Sequence, residues 1–207
     1  MFEWINFSLL IISCILFSVL YAFSTMPATL SKKIGEKAWK ACKNLRIIAS
    51  IFETLTLLTS LLWIWYPISQ LDWEIFHRWW IGLILGSLII IPGAIVVYKG
   101  VKDAGKETLT PSQDTEMYGG IYNYIRHPQT TGEMPMFPAL GLALNSWFLF
   151  ILLSVFIIIY VPIIQYFEEK DLVERFGDSY KQYQKITGAF FPKWKSWKLV
   201  FKKKEEN

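Results

Sequence analysis

Three stretches of the chain, residues 5–23, 47–65 and 79–97, are almost unbroken runs of apolar side chains. As helices, each is long enough to cross about 30 Å of hydrocarbon. Such runs have few other folds open to them, because a backbone surrounded by lipid must satisfy its own hydrogen bonds. A fourth block, 131–167, is too long for one crossing and is interrupted by Asn145-Ser146, which predicts a helical hairpin. The pattern is that of an all-α, polytopic membrane protein with about five transmembrane helices. The last two form the hairpin, and cytosolic C-terminal helices follow.

Charge orients the chain. Of 21 Lys and Arg, six lie between Ser24 and Arg46, four between Tyr98 and Arg126, and ten after Phe167. Only Arg78 falls on the other side. Cytosolic loops carry the excess of basic residues, so the N-terminus is expected outside and the C-terminus in the cytosol. The first apolar run lacks a basic leader and a small-x-small cleavage site, and is expected to be a retained span. The net charge of +4 sits beside membrane segments. Anionic lipid headgroups explain it better than nucleic acid, which is not an expected partner. Cys14 lies in a span and Cys42 in a basic loop, so no disulfide framework is expected.

The whole chain, 1–207, reads as one integral membrane domain. Residues 1–97 hold three spans, 98–193 a loop, the hairpin and a cytosolic helix, and 194–207 a basic interfacial tail. In that tail Trp194, Trp197 and Phe201 alternate with lysines, a pattern suited to a helix lying in the membrane surface. Neither the loop nor the tail can hold a nucleotide-binding βαβ unit. With two histidines, His77 and His127, and no cysteine cluster, no metal site is expected. His77, between Trp residues at a membrane edge, reads as interfacial. Gly82 and Gly86 allow close helix approach, and Pro92, Pro135, Pro138 and Pro162 predict kinked or broken helices.

Polar residues inside such a chain need a reason, since a charge at mid-bilayer costs about 2.5–3.5 kcal/mol on insertion scales. Arg46, Ser50, Glu53, Thr56 and Ser60 share one stripe of the second run by their 3–4 spacing. This stripe fits helix packing and substrate contact equally. Glu133 lies one turn into the fourth block, within reach of Arg126 if the chain turns at Pro128. Glu168 and Glu169 end the last apolar run. There the helix dipole is unfavourable to anions unless the helix continues to Phe176. Leu172, Phe176, Tyr180 and Tyr183 then repeat at helical spacing, with Gly177 as a bend.

The ordered pieces are "TPSQDTEMYGGIYNYIRHPQTTGE", a hairpin, and "EEKDLVERFGDSYKQYQKITGAFFPK". Over residues 100–193 this resembles the isoprenylcysteine carboxyl methyltransferase and phospholipid methyltransferase family of integral membrane enzymes. The resemblance implies S-adenosylmethionine as methyl donor, held at the cytosolic ends of the last two spans. It implies Arg126, Glu133 and Glu169 as catalytic positions. Gly120, Tyr122, His127, Pro128, Thr130, Gly132, Glu168, Tyr180 and Tyr183 are implied as cofactor-binding. In this reading Arg126 pairs with a carboxylate and Glu168 or Glu169 holds an amino group. The implied partner is a lipophilic small molecule or lipid-modified substrate from the bilayer, such as a prenylcysteine carboxylate or a phospholipid amine. Membrane lipids surround the chain, and no obligatory protein partner is evident. A base is needed for an amine acceptor, whereas a carboxylate or thiolate is already nucleophilic. Thr130 departs from the Tyr usual in the family. The R-H-P-x-x-x-G-E run is also similar to that of sterol reductases, which use NADPH, but Gln129 and Thr130 depart from their pattern.

Overall fold

The computed structural model describes residues 1–113 and 119–193. The tail placed at 194–207 lies outside the described residues. Seven helices follow in order: α1 (Phe2–Ser24), α2 (Pro27–Ile34), α3 (Lys37–Leu62), α4 (Trp79–Ala104), α5 (Pro128–Ala143), α6 (Trp147–Phe176) and α7 (Asp178–Ile186). Short 3₁₀ turns occupy Gly105–Thr108 and Gly120–Asn123. Isolated bridges aside, no strand occurs among the described residues.

Among the described residues, four helices are long and apolar enough to cross a membrane: Phe2–Ser24, Lys37–Leu62, Trp79–Thr108 and Trp147–Phe176. The fifth expected span, α5, has 16 residues, short of the roughly 20 a crossing normally takes. Pro128 starts it and Asn145-Ser146 stops it. It nonetheless runs antiparallel to α4 from Gly100 down to Gly82. Gly100 faces Pro128 and Gln129, Gly93 faces Gly132 and Met136, Gly86 faces Ala139 and Ala143, and Gly82 faces Leu142. A Cβ at Gly86 would lie 2.6 Å from the Ala139 carbonyl oxygen. Close backbone approach of this kind is how helices associate where lipid removes the hydrophobic drive between them. The glycine pair seen in the sequence is therefore half of a longer packing stripe.

The hairpin turns where the sequence breaks. Asn145 takes φ 54°, which Asn tolerates better than most residues, and the Ser146 hydroxyl caps α6 by accepting from Leu149 N at 3.3 Å. The Asn145 side chain also clasps Phe76, accepting from its N at 2.8 Å and donating to its O at 2.9 Å. α6 continues past Glu168 and Glu169 to Phe176, so the carboxylates escape the helix end. The helices run through all four prolines unbroken.

α1 and α3 lie antiparallel, joined by Asn6 Nδ2 to Thr59 O at 3.1 Å and Thr56 Oγ1 to Ser13 Oγ at 2.9 Å. Thr56 of the polar stripe is thus packing glue. Aromatic rings bind α1 to α6, with Phe17 and Tyr160 5.0 Å apart. The two ends of the bundle differ. Trp4, Trp65, Trp73, Trp79, Trp80 and Trp147 are exposed at one end, as residues at a membrane interface are. At the other end α2 is pinned by buried Asp171 of α6, which accepts from Ala28 N at 3.2 Å and Thr29 N at 2.6 Å. Four apolar helices and this aromatic band make the chain an integral membrane protein.

Candidate active site

The site lies at the lysine-rich end, where the chain before α5 meets the continuation of α6. Residues 125–127 run beside 188–189: Arg126 N donates to Gly188 O at 2.8 Å and His127 N to Ala189 O at 3.0 Å. His127 is the N-cap of α5 and Pro128 its first residue, a position that suits a residue with no N–H. These backbone bonds aim both side chains at α6.

There a buried charge cluster forms. Glu169 Oε1 accepts from Arg126 Nε at 2.9 Å, from Arg126 Nη2 at 2.7 Å, and contacts His127 Nε2 at 2.9 Å. Gln184 Nε2 donates to its other oxygen at 2.9 Å. The opposite ring nitrogen, His127 Nδ1, lies 3.2 Å from Glu168 Oε2. An imidazole between two carboxylates donates from both nitrogens, which requires the imidazolium. Burial by itself would lower the His127 pKa. The charge of Glu168 and the hydrogen bonds to Glu168 and Glu169 outweigh it and push the pKa up to about 9. The cluster holds two cations and two anions, but the anions are not equivalent. The Glu169 side chain is 17% exposed and fully engaged, whereas Glu168 is 36% exposed and faces the cleft.

Around Glu168 the cleft is walled by Tyr21, Arg46, Thr108, Tyr122, Thr130, Phe176, Tyr180 and Tyr183. The Tyr122 hydroxyl donates to Gly100 O at 3.3 Å and accepts from Gln129 Nε2 at 3.2 Å. Tyr183 donates its hydroxyl to Tyr122 O, so α7 is tied to the turn before α5. Below the cleft, Glu133 of α5 and Glu53 of α3 lie within electrostatic reach of each other and of Glu168.

Most of the expected site residues are brought together: Tyr122, Arg126, His127, Pro128, Thr130, Glu168, Tyr180 and Tyr183 line one cleft, and Glu169 anchors it. Two are not. Gly132 packs against Gly93 and Val97 of α4, where a side chain does not fit. Gly120 takes φ 61° beside Asp103, whose carboxylate accepts from Ile121 N at 2.7 Å. Both glycines shape the backbone rather than the cleft. Arg126 pairs with Glu169 and not with Glu133, because the 188–189 segment turns Arg126 toward α6. The Arg126 guanidinium also donates to Gln184 O at 3.3 Å and to Thr187 O, which commits it to protein partners.

Two features went unread in the sequence, and a third, Arg46, is legible there only as one member of a stripe that fits packing and substrate contact equally. Arg46 of α3 enters the cleft wall; its place on the polar stripe was the available signal. Arg175 forms a buried pair with Glu107 at 2.6 Å and lies over the Trp39 and Phe176 rings. Asp171 caps α2. Asp171 and Arg175 follow Glu168 at helical spacing, a charged stripe that marks a buried face on a helix already known to be apolar.

The phospholipid methyltransferase family matches residues 81–179, from α4 to the start of α7, and so contains both halves of the charge cluster. Over this segment, just under half of its length, the chain is similar to the phospholipid methyltransferase family. The enzyme is 28% identical over 188 residues to methanethiol S-methyltransferase of Pseudomonas deceptionensis, covering 82% of this chain and 69% of that protein. It is 26% identical to the methanethiol S-methyltransferase of Pseudomonas sp. strain GM41(2012), over 83% of this chain and 70% of the other. Methanethiol S-methyltransferase 1 of Bradyrhizobium diazoefficiens shares 28% over 69% of this chain and 52% of its own length. No solved structure matches the chain. Between the two resemblances of the R-H-P segment, these relatives decide for methyl transfer over reduction.

Proposed function

We propose that the enzyme binds S-adenosylmethionine in the cleft at the lysine-rich end and methylates a small lipophilic thiol that reaches it through the bilayer. The observation that carries this reading is the unequal carboxylate pair. Glu169 is consumed by Arg126, His127 and Gln184, while Glu168 is held charged by His127 and left open to the cleft. Residues of the cleft fit the donor group by group: Glu168 suits an ammonium or sulfonium cation, and the Phe176 and Tyr180 rings suit a purine. The donor, when bound, supplies a methyl group on a sulfonium. The protein's own residues position and discharge. His127, as imidazolium, fixes the Glu168 carboxylate in direction and charge. Arg126 and Glu169 lock His127 in place. α5 and α3 present Glu133 and Glu53 on the membrane side of the cleft, where a Glu133 carboxylate oxygen takes the proton of a neutral thiol as its sulfur becomes nucleophilic. Alignment of the two reactants can supply several kcal/mol of the barrier.

The names of the relatives favour a thiol acceptor. With the lysines in the cytosol, the cofactor enters from that side, the N-terminus lies outside and the C-terminus inside. Transfer of a labelled methyl group should be assayed separately with short alkanethiols, ethanolamine phospholipid and a prenylcysteine. The reading expects product with alkanethiols. Product only with the phospholipid or the prenylcysteine overturns the acceptor assignment.

A further inference from the structure

Three arginines lie at the lysine-rich end, and two have a carboxylate: Arg126 has Glu169 and Arg175 has Glu107. Arg46 does not; among the described residues it forms no ion pair. Its guanidinium donates only to backbone carbonyls, from Nη1 to Glu107 O and Thr108 O, both at 3.0 Å, and from Nη2 to Ser24 O at 3.1 Å. These bonds use three of its five N–H groups. Nε is shielded from water and has no partner. The Tyr21 ring, 5.9 Å away, is the remaining neighbour of the charge. A partly buried guanidinium held by neutral oxygens, with a buried donor left over, is an unfavourable arrangement unless an anion completes it.

The geometry says where that anion goes. The three carbonyls belong to the end of α1 and the turn after α4, so they hold Arg46 against the cleft wall rather than letting it reach solvent. Across the cleft stands Glu168, the one carboxylate of the pair with room to accept a further donor. The two charges act on each other but do not pair, which leaves space between them. A cationic wall on α3 and an anionic wall on α6 match an α-amino acid zwitterion, with its carboxylate toward Arg46 and its ammonium toward Glu168. Arg126, the arginine expected from sequence to receive that carboxylate, has no comparable freedom. We infer that Arg46 is the carboxylate anchor of the cofactor site, taking the amino-acid carboxylate of the methyl donor through its uncommitted N–H groups. This rests on the cofactor reading above. It places a binding residue on α3, outside the segment matched by the family.

The test is a ligand truncation crossed with a substitution. Wild type, Arg46→Gln and Arg46→Lys, each with its unliganded melting temperature recorded, are titrated by calorimetry with S-adenosylmethionine and with its decarboxylated analogue. Wild type should prefer the intact donor. Arg46→Gln should weaken the intact donor by on the order of 10- to 100-fold, the span of a charge-assisted hydrogen bond, and leave the decarboxylated analogue within about threefold, since no carboxylate is there to lose. Arg46→Lys, which keeps the charge without the planar fork, should fall between. Equal weakening of both ligands, or of neither, shows a structural strut and overturns the inference while the cofactor reading stands. If Arg46→Gln does not fold, wild type and Arg46→Lys decide it: equal affinity of wild type for the two ligands overturns it. Wild type that binds neither ligand overturns both readings.

Discussion

His127 is the residue on which the cluster turns. Its imidazolium is held by two carboxylates against the pull of burial, with a pKa of about 9 in place of 6.5. A group whose pKa is raised on folding contributes stability that is complete below its unfolded value and is lost as pH rises through the folded value. The apparent melting temperature of the purified enzyme should therefore hold up to about pH 6.5 and decline toward pH 9 and beyond. His127→Gln should melt lower with a flatter profile across that window. A wild-type profile no steeper than that of the variant would contradict the charged histidine. At this scale the sequence was legible in kind. Arg, His and two Glu stand out in an apolar chain because their burial is costly. Partners were another matter. The pairing of Arg126 with Glu169 depends on the 188–189 segment lying beside residues 125–127, and no spacing along the chain expresses that. Arg46 was visible as part of a polar stripe, but stripe membership does not say which members glue helices and which face a cleft. Thr56 does the first and Arg46 the second.

At the scale of elements, the contact between α4 and α5 positions the site, because His127 caps the start of α5. A Cβ at Gly93 would lie 2.7 Å from the Gly132 carbonyl oxygen and 2.6 Å from Met136 Cγ. The methionine can bend away, but the carbonyl belongs to a helix backbone and cannot. Gly93→Ala should destabilise by about 1–3 kcal/mol, the usual range for overpacking, and lower the apparent melting temperature. Gly119→Ala, where nothing lies within 4 Å, should leave it unchanged. Equal melting of the two variants would remove the glycine stripe from the account of packing. The hairpin was readable from Asn145-Ser146, since both residues favour the turn and cap they form. The short helix α2 was not. Its sequence reads as a basic loop, and it is held as a helix by Asp171, which lies more than 140 residues away. No local pattern carries such a contact. The prolines break none of α4, α5 and α6, although each removes one backbone donor from its helix.

For the whole molecule, the tryptophan end and the lysine end make the bundle a polarised object with the candidate site at one face. Four helices meet the length of a membrane crossing, and α5 covers the same depth along α4. If α5 also crosses, the termini lie on opposite sides. With Cys14 and Cys42 replaced, single cysteines at Glu3 and Asn207 should react with an impermeant reagent from opposite faces of sealed vesicles, and reaction of both from one face would refute the five-crossing arrangement. The most direct test of the central claim is calorimetric titration of the purified enzyme with S-adenosylhomocysteine, set beside NADPH and repeated on His127→Ala and Glu168→Gln. The structure predicts saturable binding of S-adenosylhomocysteine by wild type, a loss on the order of 10- to 100-fold in each variant from removing a partner of a charge-assisted bond, and no binding of NADPH. Binding of NADPH without S-adenosylhomocysteine, or unchanged affinity in both folded variants, would contradict it.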